Sequence, residues 1–175
     1  MGLPEIFIIF QTAAVSAITR SARGVLAVAV KDATEGGAAE AAYKSLAEVP
    51  EDKFSPENYR LLKLAFLAAP TKVWVLRVGE DAEKTYQALE RLRFDWLAAP
   101  GLDDARVMSF IKTLRNGGRG VKAVVANATA PDCEGIVNLC VSGLTLEDGA
   151  MEAKDYAVRV AALLAALPLT CSATY

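Results

Sequence analysis

The stretch VWVLRVGEDAEKTYQALERLRFDWLAAPGLDDARVMSFIKTLRNGG, residues 73–118, decides the fold by its alternation. Val73 to Val78, VWVLRV, reads as a strand closed by Gly79. Asp81 then caps a helix whose Tyr86, Leu89 and Leu92 share one face. Phe94 to Pro100, FDWLAAP, is the next strand. A second helix from about Leu102 to Asn116 turns Val107, Phe110, Ile111 and Leu114 inward, and Gly117-Gly118 ends it. Short apolar strands alternating with amphipathic helices imply crossover units on a mostly parallel sheet, so the fold class is α/β with flanking helices.

Upstream, Ser55-Pro56-Glu57 supplies a hydroxyl cap, a first-turn proline and a carboxylate for a helix ending near Leu67. Its Tyr59, Leu62 and Phe66 face inward, and Pro70 stops it. Val25 to Val30, VLAVAV, reads as a buried strand closed by Lys31 and Asp32. TEGGAA follows as a loop, and YKSLAEV as a short strand or turn. Downstream, VKAVVAN and GIVNLCV read as strands. A last helix from about Glu152 to Leu167 is amphipathic through Tyr156, Ala157 and Val160, but its end, AALLAALPL, is apolar all round and demands cover. Trp74 and Trp96 read as core residues. Near the start, Ile6 to Phe10, IFIIF, would be apolar on both faces of a strand, which must be covered on two sides.

A length of 175 residues suits one compact domain. With 53% hydrophobic and 23% charged residues the chain reads as globular. Net charge is -2 and no segment is dominated by Lys and Arg, which disfavours nucleic acid as a partner. No apolar run reaches the roughly 18 residues of a membrane helix, and Met1 to Glu5 lacks the basic start of a signal peptide. Cys133, Cys140 and Cys171 are odd in number and form no CxxC, so they read as free thiols. The chain has no histidine. That removes the usual general base and the commonest metal ligand.

Ligands of open α/β sheets gather at strand carboxyl ends. The loops there, VGEDAEK, APGLDDA and NATAPDCEG, carry Asp81, Asp103, Asp104, Asp132 and Glu134, which would serve a small-molecule- or cation-binding domain. The competing reading makes Asp81 and Asp103 helix caps or first-turn carboxylates, and the rest solvated loop residues. Gly117-Gly118-Arg119-Gly120 lies at the helix-to-strand end, the wrong side for a phosphate loop. Ser109 and Ser142 have no base nearby. The residues alone select no catalytic, cofactor-binding or metal-binding group.

The order of segments is more specific than any one of them. GLPEIFIIF, RSARGVLAVAVKD, YKSLAEVPEDKFSPENYRLLKLAF, KVWVLRV, FDWLAAPG, VKAVVANATAPDCEGIVN and YAVRVAALLAALPLTCSATY occur in that order. Together they resemble the N-terminal part of a phage tail sheath protein of the short type found in contractile-tailed phages and prophages. The resemblance implies a non-enzymatic structural subunit with a subtilisin-like α/β fold and no cofactor, stacked as hexameric rings around a tail tube. It implies an extended inter-subunit arm at Ile6, Phe7, Ile8, Ile9 and Phe10 that adds a strand to a neighbour's sheet. On that reading residues 1–22 are arm and linker, and residues 23–175 an α/β domain incomplete at its C-terminal end. The implied partners are sister subunits, the tail tube protein and baseplate components, with neither nucleic acid nor membrane. The implied location is the virion tail, assembled in the bacterial host cytoplasm.

Overall fold

A computed structural model of the chain describes residues 24–167 apart from 128, 130, 147 and 148. The expected arm at Ile6 to Phe10 lies outside the described residues, as does Cys171. Six strands form one sheet: β1 (Val25–Val30), β2 (Glu40–Tyr43), β3 (Lys72–Arg77), β4 (Trp96–Ala98), β5 (Lys122–Val125) and β6 (Ile136–Asn138). Their spatial order is β2-β3-β1-β4-β5-β6, parallel throughout except for β2, which pairs antiparallel with β3. A separate two-stranded ribbon joins β7 (Thr145–Leu146) to β8 (Gly149–Ala150). Among the described residues there are four α-helices: α1 (Pro56–Phe66), α2 (Ala82–Arg91), α3 (Asp104–Asn116) and α4 (Ala153–Ala166).

The expected α/β architecture is present, as three layers. VLAVAV shows why the sheet is sandwiched. Ala27 and Ala29 join a cluster built with Tyr86 and Leu89 of α2, Leu92 just after it, and Val107, Ile111 and Leu114 of α3. Leu26, Val28 and Val30 point the other way, onto Leu61, Leu62 and Ala65 of α1 and Ala157, Val158, Ala161 and Ala162 of α4. Successive side chains of a strand face opposite sides, so a strand apolar at every position is stable only between two helical layers. Small alanines on one side and branched residues on the other let the two layers differ in depth.

Several expected boundaries move. YKSLAEV, expected as a short strand or turn, holds the end of one and the whole of the other: Tyr43 ends β2 and Leu46–Glu48 is a single 3-10 turn, with another at Glu51–Lys53. FDWLAAP contracts to the three residues of β4 because Asp95 turns its carboxylate onto backbone N–H groups of the neighbouring strand's entry. GIVNLCV yields only Ile136–Asn138. In α3 Met108 is buried, while Phe110 is half-buried against the Tyr86 ring, 5.1 Å between centroids. Trp74 and Trp96 are half-buried at the borders of the two clusters, each with a lysine ammonium over its ring, Lys72 at 4.9 Å and Lys122 at 5.3 Å. The apolar end of α4 finds most of its cover in this chain's own sheet and α1, leaving Leu163 44% exposed.

Gly101, which follows β4, marks the tightest backbone approach. A Cβ there would sit 2.7 Å from Lys31 N and 2.8 Å from Val30 C, both main-chain atoms that cannot swing aside. Gly101→Ala is expected to cost about 1–3 kcal/mol through forced separation of β1 and β4. Urea unfolding followed by circular dichroism measures it, and a loss under 0.5 kcal/mol contradicts the close approach.

Candidate assembly surface

At the carboxyl end of the sheet, connections from β1 and β4 leave in opposite directions, opening a cleft of about 690 Å³ lined by Lys31, Asp32, Gly79, Glu80, Gly101 and Asp103 among others. This is where an α/β sheet holds a ligand. Of the acids expected to gather at this end, only Asp103 lines the cleft, and each has a local role or faces solvent. Asp81 accepts from Glu83 N at 3.0 Å and caps α2, and Asp103 accepts from Arg106 N at 3.0 Å and caps α3. Asp104 faces Lys154 Nζ at 3.6 Å, Glu134 pairs with Arg115, and Asp132 is a solvated loop residue. Among the described residues no three His, Cys, Asp or Glu side chains converge on a metal position. Asp81→Ala and Asp103→Ala are each expected to cost about 1 kcal/mol, the worth of a capping oxygen. That corresponds to about 2–4 °C in the melting midpoint of a chain this size, readable by calorimetry.

Sequence reading missed the best-ordered carboxylate. Asp32, treated as a residue that closes β1, has no exposed side-chain surface. Its Oδ1 accepts from Thr34 N at 2.9 Å, and its Oδ2 from Ser55 N at 3.0 Å and Asn58 Nδ2 at 2.8 Å. Arg77 Nη1 stands 3.7 Å from Oδ1 and donates to Thr34 O at 2.7 Å, while Nη2 donates to Lys53 O. Burial pushes the Asp32 carboxyl up, but the hydrogen bonds from Thr34, Ser55 and Asn58 outweigh it and hold the group well below the ordinary carboxylate range. Arg77 also lies over Phe54, 4.7 Å from the ring centre. This knot fastens the ends of β1 and β3, the loop between, and the start of α1. It is a structural site.

At the opposite end, the chain enters the sheet at Gly24. Asp95 Oδ2 accepts from both Gly24 N and Val25 N at 3.1 Å, Asp95 N donates to Val25 O at 2.8 Å, and Lys72 N donates to Gly24 O at 3.3 Å. Gly24, the first of the described residues, is thus tied to the middle of the sheet.

The sheet also ends openly on both sides among the described residues. β2 leaves Glu40 and Ala42 exposed. β6 leaves Val137 37% exposed, with Val141 just beyond at 39%. Open edges offer unpaired N–H and C=O groups to another strand. The exposed Leu67 (68%) and Leu163 lie on the α1 and α4 layer, which Arg159 Nη1 bridges by donating to Leu64 O at 3.2 Å.

Comparison with known proteins gives the chain its relatives. The sequence is 32% identical over 191 aligned residues, 99% of this chain, to the tail sheath protein of Clostridium phage phiCD119. The chain is homologous to phage tail sheath proteins. No family model matches it. Its fold is that of two crystal structures, the sheath tail proteins of Listeria innocua (TM-score 0.71, 16% identity, 90% of this chain) and Desulfitobacterium hafniense (TM-score 0.72, 15% identity, 98% of this chain). The chain spans about half the length of the phage sheath protein, 51%, and 60% and 64% of the two crystallised sheath proteins. In this sheath homologue the acids expected to gather round a cation are spread over caps and ion pairs. The open sheet edges at β2 and β6 are turned outward.

Proposed function

We propose that the chain is a structural, non-enzymatic subunit of a contractile tail sheath, self-assembling into stacked hexameric rings around the tail tube. The observation that carries this reading is the likeness to a tail sheath protein along 99% of the chain. The geometry supports it: two open sheet edges can accept strands, and the entry at Gly24 can anchor an arm. On this reading Ile6 to Phe10 add a strand to the sheet of a sister subunit, and the tube protein and baseplate components are further partners. The subunit assembles in the bacterial host cytoplasm and resides in the virion tail.

Electron microscopy of tail particles labelled with gold-conjugated antibody against this chain tests the proposal. Label is expected along a striated sleeve. Tails whose sleeve is unlabelled, or which form normally when the gene is deleted, would refute it.

A further inference from the structure

A groove of about 520 Å³ lies at the amino end of the sheet, between the end of α2 and the starts of β4 and β5, lined by Arg91, Arg93 and Arg119. Arg119 is held in place, donating to Glu90 O at 2.8 Å and Leu92 O at 2.6 Å with its guanidinium over Phe94 at 5.3 Å. Arg91 and Arg93 are exposed, and neither has a carboxylate partner among the described residues. Arg91 sits in the last turn of α2, where terminal carbonyls favour a cation. That accounts for one arginine of three. Of the two carboxylates in the groove, Glu90 and Asp95, the second is engaged by Gly24 and Val25.

The other end of the domain has the complementary charge. Arg77 donates to both Thr34 O and Lys53 O, which brings the loop of Glu35 beside the turn of Glu51 and Asp52. Glu35, Glu51, Asp52 and Glu57 are exposed there, and Lys53 neutralises only Asp52, at 3.3 Å.

We propose that the arginine groove receives the Glu35–Glu51 acidic end of a second copy of this chain, in a head-to-tail contact. Two different surfaces at opposite ends make a heterologous interface, which propagates into an open stack instead of closing a dimer. A single exposed ion pair is worth little, so the contact needs several charges on each side, as found. It deepens the sheath reading by naming one of the surfaces between subunits.

The test uses the 175-residue chain and follows self-association by sedimentation and light scattering across salt concentration. Wild-type association should weaken steeply with salt. The doubles R91E/R93E and E35K/E51K, altered only at exposed positions, should each associate about tenfold or more weakly at low salt while keeping wild-type circular dichroism. Mixed in equal amounts they should regain association, because each reversed surface then meets its complement. Unchanged association of R91E/R93E, or a mixture that stays dispersed, overturns the inference and leaves the sheath reading standing. A wild-type chain that stays monomeric at low salt overturns it as well, while labelling of tail sleeves judges the sheath reading separately.

Discussion

Asp32→Ala is expected to remove about 3–5 kcal/mol of stability, the cost of breaking a buried ion pair by deleting one partner. Three donors lose an acceptor together, the N–H groups of Thr34 and Ser55 and the Asn58 amide, and the Arg77 guanidinium loses its counter-charge. Arg77 has only 9% side-chain exposure, so its charge cannot turn to water without opening the loop. On the scale for chains of this size the melting midpoint should fall by about 10 °C. Asp32→Asn keeps the shape and loses the charge, and should cost less. The pH dependence follows from the depressed native pKa of Asp32, whose ordinary value is 3.8. The unfolded chain takes up the proton first. The contribution is therefore fully present above about pH 4 and is lost as pH falls from there toward the native value. Wild type should lose stability over that range more steeply than Asp32→Asn. Equal slopes, or an alanine variant within 1 kcal/mol of wild type, would show that the knot does not bear on stability.

Deleting Leu3 to Phe10 is expected to abolish sleeve formation while leaving the melt of the domain unchanged. Burying five Ile and Phe side chains could contribute on the order of 10 kcal/mol. Ordering the same backbone costs about 1–2 kcal/mol per residue, a comparable sum. Such a segment gains net stability when a receiving edge adds its hydrogen bonds. Among the described residues, both core clusters are built from Leu26 to Ala165. Calorimetry and electron microscopy of the truncated chain measure the two halves of this prediction. Sleeves of normal length refute the arm, and a lowered melting midpoint would place Ile6 to Phe10 inside their own domain.

The alternation from Val73 to Asn116 was legible because each element there carries a complete local signal: an apolar run, then a capping acid, then a helical stripe. Asp81 and Asp103 reveal their role three residues or fewer downstream, at Glu83 N and Arg106 N. Asp32 could not be read in that way. Its partners Ser55 and Asn58 lie 23 and 26 positions away and Arg77 further still, so nothing near it in sequence distinguishes a buried anchor from a strand-end charge. β2 was hidden for a different reason. EAAY has little β-propensity, and its pairing is imposed by the antiparallel edge of β3. The apolar end of α4 was correctly read as needing cover, but a helical stripe does not say whether that cover comes from the same chain. Here the small residues Ala157, Ala161 and Ala162 let the helix settle closely on its own sheet. The arginine groove was invisible because Arg91, Arg93 and Arg119 belong to two separate helix-to-strand connections that become neighbours only when β4 and β5 pair.

The clamp at Gly24 has a mechanical consequence. β1 is bonded along one side to β3 from Val25 to Val30 and along the other to β4 from Leu26 to Val28. Tension on the segment leading into Gly24 would pull this strand lengthwise between two parallel neighbours. Its ladder bonds would then be loaded in shear, all at once, whereas an outer strand under the same tug could peel away one rung at a time. A tether fixed there can carry force through the body of the subunit before any rung gives.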